Sequence, residues 1–572
     1  PPQSGCEAPW LRVREMQPAG SYFHRVSNHP LLPYTAGDVL DRTFRTKGCN
    51  VAIVSCHQNI TKTYAELKRD VDQLAAGLVS LKLGIQSKIA IIASNTYEWV
   101  VTQFAAAKAG LVLVNINTAY QVTELEYCLI LGDCVAVIYA ENFVRQDYYK
   151  MLLEMAPEIK DVKPGELKSL RLPMLKHIIV IGDAAQPGTM TYSQLMNSAT
   201  QRHMQEMQLI ASKLQFDAPV NIQFTSGTTG KPKGALLSHF NVVNNANACG
   251  HELGFHEQKD SICLNVPLVH CFGCVIGTMA AVVFGATIVM PAPTFDAVAA
   301  LEAISKRRCT VMYGTPTMYI DILNHQEAKR YDVSTMRKGV MAGAPCPPEV
   351  LKNAMAKLNI ERMHIFYGTT ECSPVITGSR PEGPIGKWIR TVGKPLGHVE
   401  VKIVDSENRV VPLNNRGELC ARGYLVFLGY YNNEQKTKEL VQNGWYYTGD
   451  EALMSEDGAI TITGRIRDMI CRGGENVYPL EIEDFLYKHP DIEEVQVVGV
   501  PDPRLGEEAC AWIKLKPGRT TTEDEIREFC RGQISHFKIP RYIIFVDSFP
   551  KTMSGKIQKF KMAEQSRKKL NL

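Results

Sequence analysis

Residues 63–81, TYAELKRDVDQLAAGLVSL, place Tyr64, Leu67, Val71, Leu74, Leu78 and Leu81 on one face of a helix. Thr63 and Glu66 stand at the spacing of a capping box, in which each side chain accepts the other residue's backbone N–H, so the helix is expected to begin there. KIAIIAS (88–94) and GLVLVNIN (110–117) follow as unbroken apolar runs, with a helical stretch between them ending near Lys108. Similar runs return at HIIVIGD (177–183), VMYG (311–314) and GVMAGAP (339–345). Apolar runs without alternation, interleaved with helices, predict parallel β-α-β sheets covered on both faces.

After about Gly393 the pattern changes to short alternating strands with tight turns, VEVKIVD (399–405), GELCARG (417–423) and GAITITG (458–464). These predict a small antiparallel or barrel-like β subdomain. Beyond Arg465 come a helix over 479–488, strands VQVVGV (495–500) and ACAWIKL (509–515), a capped helix from Thr522 and a strand YIIFVDSF (542–549). The expectation is an α/β chain with a large N-terminal domain over 1–464 and a mobile α+β domain over 465–572. No internal repeat or low-complexity segment interrupts it.

At 572 residues the chain exceeds what one core of ordinary size holds, which agrees with that division. Hydrophobic residues at 45% and charged residues at 21% exclude a disordered chain, and a net charge of +4 over this length gives no reason to expect nucleic acid. From Cys271 to Phe295 no charge appears, long enough to consider a membrane span, but the interior glycines and the strand-like VFGATIVM predict a buried helix and a core strand instead. The 16 cysteines are scattered without the spacing of a disulfide framework, and a reducing compartment follows. Cys271 and Cys274 beside His270 form a CxxC, but no second pair lies at zinc spacing, so the two thiols are expected to be buried packing. The opening PPQSGCEAPW lacks a charged and then apolar leader pattern.

TSGTTGKPKGALLSH (225–239) carries the most chemistry. Glycines without a Cβ let backbone N–H groups curl around phosphate oxygens, and hydroxyls and lysines add donors and charge. The residues concerned are Thr225, Ser226, Gly227, Thr228, Thr229, Gly230, Lys231 and Lys233. It is not a Walker A loop, because only two residues separate Gly227 from Gly230 and Pro232 follows Lys231. Read alone, such a stretch is equally a solvated surface turn.

Together with YGTTE (367–371), YYTGD (446–450), GRIRDMICRGGENVYPLEIE (464–483) and PKTMSGKI (550–557), however, it resembles the signature set of the adenylate-forming superfamily of acyl-CoA synthetases, luciferases and carrier-protein adenylation domains. All five motifs occur in family order and span nearly the whole chain. Within the superfamily the sequence most resembles the medium-chain acyl-CoA synthetases, fatty-acid ligases of mitochondria. The resemblance implies ATP, Mg2+ and coenzyme A acting on a fatty acid, without nucleic acid or a transmembrane span, in the mitochondrial matrix.

The resemblance also implies roles. Lys556, aimed by the Ser554-Gly555 turn, would touch the substrate carboxylate and the α-phosphate as they react. Thr370 would donate to that phosphate, Glu371 would hold Mg2+, and Tyr367, with Gly368 and Thr369 after it, would pack on adenine. Gly343, Ala344 and Pro345 would line the adenine from another strand end. Asp450 would accept the ribose hydroxyls with Arg465 as its companion, an acidic group suiting two donors. Gly473, Gly474 and Glu475 would serve coenzyme A after the C-terminal domain swings. The hinge position is commonly Asp or Lys in relatives, and here it is Arg467.

His270, Phe272 and Val275, in VPLVHCFGCVIG (266–277), resemble the wall of an acyl pocket, although His270 could equally be a core histidine. The apolar lining there, with Val269 and Ile276, suits a fatty chain better than a charged amino acid. Transfer to a carrier-protein thiol, luciferase-type oxygenation and a non-catalytic scaffold are the alternatives.

Overall fold

In the computed structural model, which describes residues 19–572 apart from 142–145, 226–231, 382–383, 474 and 553–554, the capping box closes as its spacing predicts. Glu66 Oε2 accepts from Thr63 N at 2.8 Å, and Thr63 Oγ1 accepts from Glu66 N at 3.2 Å. The helix it starts, Tyr64–Ser80, buries Leu67, Val71, Leu74 and Leu78 and packs on the helix Tyr97–Lys108.

The apolar runs become strands of two large sheets. In one, of eight strands, Lys88–Ile92 lies between Val112–Asn115 and Cys134–Ala140, parallel to both, and His177–Ile181 follows. In the other, of nine, Ser261–Leu264, Val311–Gly314, Lys338–Ala342 and Arg362–Tyr367 run parallel, side by side. Parallel neighbours end at one edge, so the turns after Gly314, Ala342 and Tyr367 emerge together, where ligands of α/β sheets bind.

The third sheet is the β subdomain: Val399–Val404, Gly417–Gly423, Trp445–Met454 and Ile460–Arg465 pair antiparallel in that order. Its other edge is Tyr22–Arg25, paired with Val399–Val404. Nothing local in a four-residue strand announces a partner so distant in sequence, and the sequence reading did not include it.

The fourth sheet, of five strands, begins at Ile470–Arg472 and is built on the antiparallel pair Ile492–Asp502 and Gly506–Leu515, with Tyr542–Phe545 parallel to the latter. Helices Pro479–Leu486 and Lys559–Leu570 pack on it. The first stops two residues short of the expected end, just ahead of His489-Pro490, since a residue before proline avoids the helical region. The fold is thus mixed α/β, with the small α+β sheet following the larger N-terminal part.

The uncharged segment folds inward as predicted. Phe272–Met279 winds as a π-helix, Ala280–Phe284 continues as an α-helix, Gly285 caps it at φ +70°, and Thr287–Met290 is a buried strand. Among the described residues no helix is long and apolar enough to cross a membrane. Every described cysteine is a free thiol, and Cys271 and Cys274 are both buried.

Candidate active site

The turn after Tyr367 is shaped by what Gly368 admits: a Cβ there would lie 2.0 Å from Pro374 O, so any other residue would push the turn open. Thr369 donates to Tyr446 Oη at 3.2 Å, and Thr370–Cys372 forms one 3-10 turn. That turn seats Glu371 at 7% exposure, with Oε1 accepting from Tyr430 Oη at 2.6 Å. Lys233 Nζ stands 5.4 Å from the centroid of the Tyr430 ring, and Thr225 is its register partner across the antiparallel strands. Tyr430 therefore joins the lysine of the glycine-rich motif to the acid of YGTTE. Ser226, Gly227, Thr228, Thr229, Gly230 and Lys231 lie outside the described residues, as do Ser554 and Gly474.

Asp450 and Arg465 face each other across paired strands. Asp450 is 4% exposed, and its Oδ2 accepts from Tyr367 Oη at 2.7 Å. Arg465 Nε is 3.2 Å from Oδ1, yet Oδ1 completes no hydrogen bond and is buried. A buried carboxylate oxygen that holds an ion pair but no hydrogen bond can still accept from a donor elsewhere. Tyr367 thus holds the Asp450 carboxylate by its hydroxyl while its ring remains at the strand end. Gly343, at φ +86°, Ala344 and Pro345 follow the neighbouring strand.

Lys556 arrives from the C-terminal sheet on a hairpin, where Thr552 N donates to Lys556 O at 2.8 Å and Gly555 turns at φ +77°. A Cβ on Gly555 would lie 3.1 Å from Thr315 Oγ1, and a Cβ on Gly343 would lie 3.6 Å from Thr315 Cγ2, so hairpin and strand-end turn meet at Thr315. Thr315 caps the helix Pro316–Asn324, and its buried hydroxyl completes no hydrogen bond. Lys556 remains accessible from the cleft, but surrounding protein withdraws water from its ammonium and Arg465 and Arg467 repel it. Asp450 and Glu371 oppose that, and the outcome is a pKa lowered to about 8.

His270 lies within the field of Lys556. Burial first, and Lys556 second, lower its pKa to about 4. Phe272 N donates to His270 Nδ1 at 3.1 Å, which leaves the proton of the neutral ring on Nε2. Phe272 stacks on Tyr313 at 5.6 Å, and Val275 is buried beyond it. Beneath them lies an amide layer absent from the sequence reading: Gln223 Nε2 donates to Cys274 Sγ at 3.0 Å and to Asn221 Oδ1 at 2.7 Å.

The structure brings Lys556, Glu371, Asp450, Arg465, Arg467 and His270 to one cleft. Gly473 and Glu475 instead keep to the C-terminal sheet. Gly473 donates to Leu505 O at 2.7 Å and turns at φ +57°, Glu475 is exposed, and Arg472 pairs with Glu508 at 2.7 Å, all within the C-terminal sheet. Arg467 sits on the 3-10 turn Ile466–Asp468 that links the sheets, 3.6 Å from Asp468.

Sequence reasoning missed Thr315, Tyr430 and the contact that locks the two parts together. Arg416 Nη2 meets Glu481 Oε1 at 2.6 Å, and Tyr478 Oη donates to Glu451 Oε1 at 2.6 Å. Only Thr315 left a local signal, a Thr before Pro316 at a helix start. Because Glu451 follows Asp450 on one strand, this lock anchors the strand that carries the open carboxylate. Arg416→Met removes ion pairs to both Glu481 and Glu451 and is expected to slow adenylate formation roughly threefold to fivefold, the scale of partly exposed pairs. Single-turnover pyrophosphate release should show this with an unchanged melting temperature.

The described fold places a large N-terminal part and a small C-terminal sheet around these residues. The chain belongs to the AMP-binding enzyme family, whose sequence profile matches residues 40–431, with the AMP-binding enzyme C-terminal domain matching residues 481–556. It is 46% identical to the medium-chain acyl-CoA ligase ACSF2, mitochondrial, of Homo sapiens over 558 residues, 96% of this chain and 91% of that one. To YngI of Bacillus subtilis (strain 168) it is 44% identical over 547 residues, 95% of this chain and 99% of that one. Among solved structures, the anthranilate CoA ligase AuaEII in complex with anthranoyl-AMP aligns with a TM-score of 0.83 at 27% identity, covering 95% of this chain and 99% of its own.

Proposed function

We propose that this protein is a medium-chain fatty acid–CoA ligase of the AMP-forming kind, with its domain boundary at residues 464 and 465. The observation that carries the reading is Lys556, delivered by the C-terminal hairpin into a cleft that already holds Glu371, Asp450 and Arg465. A carboxylate is a poor electrophile, and adenylation gives it a leaving group. The fatty-acid oxygen bonds to the α-phosphorus of ATP as the bond to pyrophosphate breaks, and the thiol sulfur of coenzyme A then bonds to the acyl carbon as AMP leaves. In the first step negative charge gathers between carboxylate and α-phosphate, where the Lys556 ammonium and the Thr370 hydroxyl stabilise it. Asp450 receives the ribose through its open oxygen, and Thr225, Lys233 and Gly343 to Pro345 frame the nucleotide.

Glu371 fits Mg2+: it is a single near-buried carboxylate with one oxygen held by Tyr430, and Mg2+ prefers one or two carboxylates with waters and phosphate oxygens. When bound, Mg2+ neutralises charge on the triphosphate. The Gly473–Glu475 turn serves coenzyme A in a second pose, reached by rotation at Arg467.

Pyrophosphate release across a ladder of straight-chain acids, with and without coenzyme A, tests the reading. Each buried methylene contributes about 0.8 kcal/mol, so efficiency should rise roughly fourfold per carbon and peak between about six and twelve carbons. A peak at acetate, at palmitate or at an aromatic acid overturns the substrate class, and pyrophosphate release without any coenzyme A product overturns the ligase. The mitochondrial matrix is the proposed location, supported by the names of the vertebrate relatives. The full precursor fused to a fluorescent reporter should enter the matrix, and a cytosolic signal contradicts this.

A further inference from the structure

Thr315 is the one threonine ahead of a described α-helix whose side chain does not close the helix end. Thr35, Thr63, Thr96, Thr191, Thr200 and Thr522 each accept a backbone N–H of the first turn, the contact that makes threonine a favoured residue there. Thr315 stands at the same place before Pro316–Asn324 and makes no such bond. The residue is 4% exposed, and its hydroxyl completes no hydrogen bond of any kind. It forgoes its usual partner and keeps a buried polar atom open, and both cost stability.

The side chain is turned toward the Lys556 hairpin instead. Oγ1 lies 3.1 Å from where a Cβ of Gly555 would stand, while Cγ2 faces Gly343 of the adjoining strand-end turn. Gly555, at φ +77°, has no side chain to come between that hydroxyl and the hairpin backbone. Within the hairpin, Lys556 N donates to Thr552 Oγ1 at 3.1 Å and Gly555 N donates to Thr552 O at 2.9 Å. These N–H groups are satisfied, so what the turn can offer a hydroxyl is a carbonyl. The same helix meets the hairpin a second time, since Asp321 lies in the field of Lys551 at the hairpin's start.

We propose that Thr315 is the positioning residue for Lys556: its hydroxyl donates to a carbonyl of the Gly555 turn as the hairpin closes on bound substrates, and so fixes the ammonium for the first half-reaction. This rests on the reading of Lys556 as the adenylating lysine.

Thr315→Val keeps the shape and removes the donor. Single-turnover pyrophosphate release should slow roughly threefold to tenfold, the scale of one neutral hydrogen bond, while thioester formation from preformed acyl-adenylate is unchanged. The melting temperature should hold or rise, because the hydroxyl removed had no partner. Thr315→Ser, which keeps the donor, should adenylate within about twofold of the native rate, and in a Lys556→Ala background Thr315→Val should change the residual rate by less than about twofold. A residue that acts through Lys556 then has nothing left to position. A lower melting temperature with equal loss in both half-reactions makes Thr315 structural, and an undiminished loss in the Lys556→Ala background makes it act elsewhere. Either result overturns the proposal, as does an unchanged rate in Thr315→Val. If Lys556→Ala by itself leaves adenylation intact, the reading of Lys556 falls and takes the proposal with it, an outcome the single variant shows on its own.

Discussion

Lys556→Ala is expected to lower acyl-adenylate formation by about a thousandfold or more, the scale of removing a preorganised charge from a transition state. Thioester formation from preformed acyl-adenylate should be nearly spared, because the thiol attacks a carbon already activated. Rapid-quench measurement of the two half-reactions separates them, and equal loss in both would refute the assignment. The ammonium also predicts a pH dependence. Its pKa is lowered to about 8, so the charged form prevails below that pH and is lost as pH rises through it. The kcat/KM for ATP, which reports the free enzyme, should therefore fall above about pH 8. In Lys556→Arg, whose guanidinium stays charged, residual activity should show no alkaline decline.

The second large effect falls on ATP binding. Asp450→Ala removes the charged acceptor proposed for the ribose hydroxyls, each such hydrogen bond contributing roughly 1.5–3 kcal/mol. The KM for ATP should rise by about a hundredfold or more, with kcat changed much less, since ribose contacts differ little between ground and transition states. Tyr367 Oη and Arg465 lose their partner as well, so a thermal unfolding scan should show a decrease of about 1–3 kcal/mol. Asp450→Asn keeps the shape and should recover most of that stability but little of the ATP affinity. An unchanged KM in Asp450→Ala would remove Asp450 from the ribose site.

The parallel strands and the Thr63 helix were legible because their signals are local: apolar period, capping spacing and turn residues act over a few neighbours. Lys556, Glu371 and Asp450 were legible for a different reason, since the motifs that hold them resemble a known family although the residues lie far apart along the chain. Tyr430 left no such signal. Its hydroxyl matters only because folding brings it 2.6 Å from Glu371 Oε1, across 59 positions of sequence.

By itself the sequence determined the helices and strands whose apolar period and caps are local, which stretch carries phosphate-binding residue types, and that the uncharged run after Cys271 is core. Tertiary structure alone decided that Tyr22–Arg25 closes the β subdomain against Val399–Val404, that Asp450 keeps one buried oxygen without a hydrogen bond, and that Lys556 lies in the field of Asp450, Glu371 and Arg465. The reason is range. Propensity and periodicity are set by residues within a turn or two, whereas an unsatisfied oxygen, a lowered ammonium pKa or the Arg416–Glu481 lock depends on which distant groups exclude water and supply charge around one atom.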